Sequence, residues 1–429
     1  MTTRVRTAVH RIPGGRDGRR MLLVALVDRT GSGLWAATSV LYFTHVAHLS
    51  VGRVGALAAV AGCAGLAGAP AGGRLADRFP VTRVLLAFQL LRAAASLGML
   101  TGDAFWPLLV CSAAGGFGDR AASVLTKLYA SRVAGADRVR YQAVNRTVAN
   151  VGWTVGGLGA AAALAAGTTA VYRLLLLGDA LSFAAAALLT ARCAELPAAA
   201  PTPAAAPDGA GPAGPWRDRT YLAYVVTDAV LFLDDAVFKV GLPLWAVHAT
   251  AAPDGAVPLL LMVNTVMVVA LQVPLARFGT TTAAARRLLL PLSLAFAAGG
   301  VALAASAVRG AALATVCLAL GAAAFTLAEM LHAVVSWELS IALAPDRAQG
   351  AYLGVHGLAQ ASQRAAGPLA VTAAVATGPL GWGLFGTAIA LSCLLQHRLV
   401  RDRLATGPSA PDRGSPAAMH RPADGVRTG

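Results

Sequence analysis

Gly72-Gly73-Arg74-Leu75-Ala76-Asp77-Arg78-Phe79-Pro80-Val81-Thr82-Arg83 is a short, charged, turn-forming stretch set between two apolar runs. Residues 51–72 hold one charge, Arg53 at the far end, and residues 84–102 hold only Arg92. At about 1.5 Å of helix per residue, each run is long enough to cross a hydrocarbon core of about 30 Å. A tight Arg-bearing turn between two spans reads as a hairpin retained on the cytoplasmic side.

The rest of the chain repeats the pattern. Of its 429 residues 57% are hydrophobic and only 13% charged, with a mean hydropathy of +0.63. Apolar stretches of about 20 residues recur from end to end, which excludes a soluble fold and implies an all-α polytopic membrane protein. Barrel strands would instead alternate over about 10 residues. The net charge of +15 sits mainly in the tails and in alternate loops, with six Arg in residues 1–20 and six in residues 398–427. That is the distribution of membrane topology and not of a nucleic-acid footprint, although the basic tails suit anionic lipid headgroups. The five cysteines fall in no CxxC or Cys/His cluster, so neither a disulfide framework nor a metal site is expected, and no cofactor.

Twelve spans are expected: about 21–43, 52–72, 83–102, 105–129, 143–166, 169–191, 220–247, 256–276, 288–308, 311–333, 350–374 and 378–396. Residues 1–20 read as a basic tail, 21–191 as one six-helix bundle and 192–219 as a Pro/Ala-rich linker. A second bundle occupies 220–396, then a Pro/Gly/Arg-rich tail over 397–429 that reads as disordered. The side opposite the tails keeps only Arg53, Arg173 and Arg309, so both termini are expected in the cytoplasm. The halves echo one another: at an offset of 200, Asp28 aligns with Asp228, His48 with His248, and Leu75-Ala76 with Leu275-Ala276.

An ionisable group inside a span is costly and marks a pathway or a proton site. In the first span Asp28, Ser32, Trp35 and Ser39 share one helical face, and 200 residues later Asp228, Phe232, Asp235 and Lys239 repeat the spacing. Asp28-Arg29 and Asp119-Arg120 lie at similar depth, which allows Asp28 to meet Arg120, or Arg29 to meet Asp119. Such pairs fix helix packing or couple proton binding to movement, because a carboxylate beside Arg gives up its proton and one moved away regains it. Glu329 stands at the second-half counterpart of Arg120, with His332 one turn later as a cavity residue or a satisfied interior histidine. Asn264 is either a ligand contact or interhelical glue. Asp179, beside Ser182, reads more readily as a packing hydrogen bond than as a site.

The opening stretch resembles the loop between helices two and three of the major facilitator superfamily of secondary transporters. Gly73, Leu75, Ala76, Asp77 and Arg78 match that family's pattern in register and Arg83 supplies its later cation, whereas Pro80 replaces its second Gly. The resemblance covers about residues 20–400 and implies two six-helix bundles in which helices one and seven line a central cavity. It further implies that Asp77 caps the start of helix eleven near Gly350, latching one state. The loose match of Arg120 to a helix-four motif, and Gly152, Gly156, Gly157 and Gly159 in helix five, resemble bacterial drug/proton antiporters, without the diagnostic Gly-Pro there. Proton-coupled efflux of small amphipathic molecules, by a monomer in the plasma membrane, is therefore expected. The alternatives are import of a polar solute and, from another class, a non-transporting sensor. No nucleophile–base arrangement or phosphate loop supports an enzyme.

Overall fold

The computed structural model describes residues 13–164, 168–195, 214–253 and 255–406, and among these the chain is helical with no strand. The first six helices are α1 (Gly15–His45), α2 (Val51–Arg78), α3 (Val81–Gly98), α4 (Phe105–Ala134), α5 (Arg138–Leu164) and α6 (Thr169–Ala191). The seventh is broken into α7a (Arg219–Leu231) and α7b (Leu242–Ala249), and α8 (Ala256–Ala276), α9 (Thr282–Ala305), α10 (Ala311–Ala342), α11 (Gln349–Thr377) and α12 (Pro379–Thr406) complete the chain. Leu294, Val301, Leu174 and Leu369 stand exposed on the outside of the bundle, as side chains facing lipid do.

The same pattern of packing occurs twice. In the first half α1 lies on α5 and α6, α2 on α4, and α3 on α4 and α6. In the second half α7a lies on α11 and α12, α8 on α10, and α9 on α10 and α12. Close approach depends on missing side chains where helices cross. A Cβ on Gly156 of α5 would strike the Thr30 carbonyl of α1, and one on Gly300 of α9 would strike Gly386 of α12.

Among the described residues eight apolar stretches are long enough to span a membrane by length and composition, and they fall on α2–α6, α8–α10 and α12. α1 and α7 carry charged residues in mid-helix, among them Asp28, Arg29, Asp234 and Asp235. Hydropathy marks only the part of a helix that lies in hydrocarbon. Hence α1 starts at Gly15, ahead of the expected 21, and α12 continues to Thr406, past the expected 396. Residues 1–12, 196–213 and 407–429, on which most of the basic N-tail, the linker and the C-tail were expected, lie outside the described residues.

The halves meet at the end of the bundle where α1 begins and α12 ends. Ala69, Gly73 and Asp77 of α2 press against Gly350–Gly357 of α11, and Val139 and Ala143 of α5 form a small apolar core with Ala276 and Val334. Trp337, Ile341 and Leu353 of the second half are built into the core of the first.

Candidate functional site

Arg92 of α3 organises the interior of the first half. Its side chain is 5% exposed and forms ion pairs with Asp28 of α1 and, at 3.4 Å, with Asp119 of α4. It also donates to Ser32 Oγ at 3.4 Å, and its guanidinium carbon lies 3.8 Å from the centroid of the Phe183 ring. Arg29 flanks Asp28 at 3.8 Å and Arg120 flanks Asp119 at 3.4 Å. The acids of α1 and α4 thus meet through a shared guanidinium from α3, a residue outside the expected pairing of Asp28 with Arg120 or of Arg29 with Asp119. Depth along two helices cannot show what a third inserts between them. Ser32 belongs to this cluster, whereas Trp35, a turn further, packs edge-on against Tyr42 and Phe43. Ser39 is part-buried beyond it.

The second half has a different centre. Asp228 of α7a is fully buried, its Oδ1 within 3.2 Å of His332 Nε2 and Gln396 Nε2. Its Oδ2 accepts from Ser336 Oγ at 2.8 Å and lies 2.7 Å from His356 Nε2. Four polar side chains from α10, α11 and α12 therefore converge on one carboxylate. Phe232 covers His332 edge-on at 4.7 Å.

Beyond Asp228 the helix departs from α geometry, with a 3-10 turn over Phe232–Asp234 and a π turn over Val237–Gly241. Asp228 and Asp235 were expected to serve one polar face. Instead Asp228 is sealed inside the second half, while Asp235 is part-exposed, paired with Lys239 at 2.5 Å and accepting from Gln363 of α11. Seven residues separate them, about 10 Å of helix, and the irregular turns lie between.

Two ion pairs and a cap join the halves. Arg138 of α5 grips Glu338 of α10 with two bonds, Nε to Oε2 at 2.8 Å and Nη2 to Oε1 at 2.6 Å, and the Glu338 side chain is 1% exposed. About two turns further in, Arg146 of α5 pairs with Glu329 of α10, both side chains about one-quarter exposed. Asn264 of α8 donates to Glu329 Oε2 at 3.2 Å and to Thr326 Oγ1 at 3.0 Å, so it ties α8 to α10. Lys127 of α4 donates to Ser340 Oγ at 2.6 Å beside the Trp337 ring.

Asp77 accepts from the backbone N–H of Gly350 at 2.9 Å and of Ala351 at 2.7 Å, where the start of α11 has unpaired donors and a dipole that favours an anion. A Cβ on Gly73 would collide with the Gly350 carbonyl, so this approach requires glycine. Leu75 and Arg78 are exposed, and Arg83 pairs with Glu195 at 2.7 Å.

The functional-site candidates that sequence reasoning missed are Arg92, His356, Arg138, Arg146 and Glu338. Arg92 was visible as the single charge of its span, which was the available signal. Arg138 and Arg146 resemble topology charges at the end of a loop, and nothing local marks their carboxylate partners about 180 to 200 residues away. No group of three metal-ligating side chains occurs among the described residues.

The Major Facilitator Superfamily model matches residues 21–368. No curated protein matches the chain in sequence. Among solved structures, FucP, a transporter of that superfamily crystallised in the outward conformation, superposes with a TM-score of 0.69 at 12% identity, over 90% of this chain and 99% of its own. A bacterial homologue of the iron transporter ferroportin in its outward-facing state gives 0.66 at 14% identity, covering 91% and 100%. The proton:xylose symporter XylE bound to 6-bromo-6-deoxy-D-glucose gives 0.64 at 13%, covering 90% and 95%.

Proposed function

Because the chain belongs to the Major Facilitator Superfamily, we propose that it is a proton-coupled exporter of small amphipathic molecules working by alternating access. Membership of the family makes it a membrane transporter. The export direction, the proton and the substrate class are the proposal.

The observation that carries it is the Asp28–Arg92–Asp119 cluster. Three charges buried between three helices are costly unless they do something that apolar residues of the same size would not. Carboxylates whose charge depends on where one guanidinium sits offer a physical link between helix movement and proton uptake. We place both termini and the 72–83 hairpin in the cytoplasm, since the Arg-bearing side of a membrane protein stays inside. The joined end of the bundle is then the cytoplasmic end, and the conformation is outward-facing. Alternating access requires Arg138–Glu338, Arg146–Glu329 and the Asp77 cap to break and re-form in each cycle, with Asp235, Lys239, Gln363 and Asn264 available to an incoming solute.

The test is accumulation of a panel of toxic and fluorescent compounds in efflux-deficient cells expressing the wild type or Asp28→Asn, with and without a protonophore. The wild type lowers accumulation of at least one compound, and either the protonophore or the substitution restores it while the protein remains inserted. Raised uptake of a polar solute would replace export by import. Protonophore-resistant pumping by Asp28→Asn would remove the cluster from the coupling mechanism.

A further inference from the structure

We propose that Asp179 of α6 is the residue that carries the exchangeable proton of the first half. The proposal rests on the proton-coupled reading above and names the group within it.

Asp179 is 1% exposed. Its Oδ2 accepts one hydrogen bond, from Ser96 Oγ of α3 at 2.8 Å, and its Oδ1 has no partner. Among the described residues no ion pair reaches it. A carboxylate withdrawn from water with a single hydroxyl donor is far more costly than the neutral acid in the same place. The wall is close: a Cβ on Gly31 of α1 would stand 3.2 Å from Oδ1.

The charged groups on the helices around it explain why it is left without a cation. α1 brings Asp28 and Arg29, α3 brings Arg92, and α4 brings Asp119 and Arg120. In this conformation Arg92 is held by Asp28 and Asp119, with Arg29 beside Asp28 and Arg120 beside Asp119. Asp28 has Arg92 and Arg29 beside it. Asp179 is the acid left over.

Its position suits exchange. Arg92 and Ser96 are one turn apart on α3, and Asp179 and Phe183 are one turn apart on α6. Arg92 lies over Phe183 and Ser96 bonds Asp179, so the two contacts are adjacent rungs of the α3–α6 interface. A movement of one turn, about 5–6 Å, carries the guanidinium from the Phe183 rung to the Asp179 rung. Arrival of Arg92 there ionises Asp179 and releases one proton to water. Its return to Asp28 and Asp119 leaves Asp179 to take a proton up.

Infrared spectroscopy of the purified full-length chain in lipid vesicles tests this without a substrate. A protonated-carboxyl C=O stretch is expected at neutral pH, sensitive to H/D exchange. It should be lost in Asp179→Asn, shifted in Ser96→Ala, which removes its one hydrogen bond without touching the acid, and retained in Asp28→Asn. Absence of the band, or its persistence unchanged in both Asp179→Asn and Ser96→Ala, overturns the assignment, as does its loss in Asp28→Asn alone. Protonophore-insensitive export by a wild type that shows the band would instead overturn the coupling reading, so the two failures are distinguishable.

Discussion

Asp28 and Asp228 stand 200 residues apart at corresponding points of the first and seventh helices, and the two halves solve the problem of a buried acid differently. Around Asp28 the partners are full charges: Arg92, shared with Asp119, and Arg29 alongside. Around Asp228 they are two imidazoles, a hydroxyl and an amide from three helices. Full charges act over distance and tolerate a change of partner, whereas hydrogen bonds of this kind hold only in one geometry. On the proposed coupling, the first centre redistributes charge, while the contacts of the second join α7a to α10, α11 and α12. Repetition of a fold therefore does not imply repetition of a role.

The strongest way to break that contrast is to remove each hub. Arg92→Leu leaves Asp28 and Asp119 buried without their shared cation, a change that costs about 3–5 kcal/mol in comparable buried pairs. A large fall in the unfolding temperature of the detergent-purified protein is expected, together with loss of export. Asp228→Asn keeps the shape and weakens the hydrogen bonds, at about 1–3 kcal/mol. Here the unfolding temperature should fall while protonophore-sensitive export persists in the protein that remains. Should Asp228→Asn instead abolish that export at unchanged stability, the coupling centre would belong in the second half.

A second contrast lies between the two ion pairs that join the halves. Glu338 is sealed and held by two bonds from Arg138, while Glu329 is part-exposed and shared between Arg146 and Asn264. A charge-assisted bidentate pair out of water contributes more than one open to screening. Glu338→Gln should raise the population open at this end by about tenfold, the equivalent of about 1.4 kcal/mol, and Glu329→Gln by distinctly less. Labelling of a cysteine placed at Ala143, 2% exposed in the closed contact, measures this. Equal labelling in the two variants would show that burial of Glu338 does not set the strength of the closure.

Much of this architecture is written in single-residue properties. The spans, the repeat and the hairpin follow from apolar length, Arg placement and one short pattern, because a bilayer imposes the same rule on every helix. What Asp77 touches was accessible through resemblance, since its chemistry suits any helix start. The partner of Asp28 was not, because Arg92 lies 64 residues away on a helix whose rotation hydropathy leaves open. Nor was the break of the seventh helix. Phe232, Asp235 and Lys239 continue the helical spacing from Asp228, and nothing in that spacing announces the 3-10 and π turns between them. Asp179 illustrates the remaining gap: the type of residue was plain, but the absence of a second partner is a property of its neighbours.

The smallest effect sharpens the comparison at the membrane surface, where each half begins with an acid. Asp17, in the first turn of α1, pairs with Arg20 of the same helix at 3.0 Å, and both are partly open to water. Asp218, at the start of α7a, has a side chain 3% exposed and joins two other helices directly and a third through Arg403. It accepts from Tyr221 N at 3.0 Å, from Arg403 of α12 at 2.7 Å and from Tyr352 of α11 at 3.2 Å, and Arg403 also donates to Leu343 O at the end of α10. Burial alone would raise the Asp218 carboxyl, but the Arg403 guanidinium and these hydrogen bonds outweigh it and hold the group below its ordinary value. A carboxyl lowered in the folded protein contributes stability that is complete above its unfolded value of about 3.9 and is lost as pH falls through the folded value. Asp218→Asn should therefore lower the unfolding temperature at neutral pH by an amount corresponding to about 1–2 kcal/mol, and the difference from wild type should shrink only below about pH 4. Asp17→Asn should change it by less than about 1 kcal/mol, since its pair is local and partly solvated. A difference for Asp218→Asn that stays constant through that acid range would mean that its shape matters to the helix junction and its charge does not.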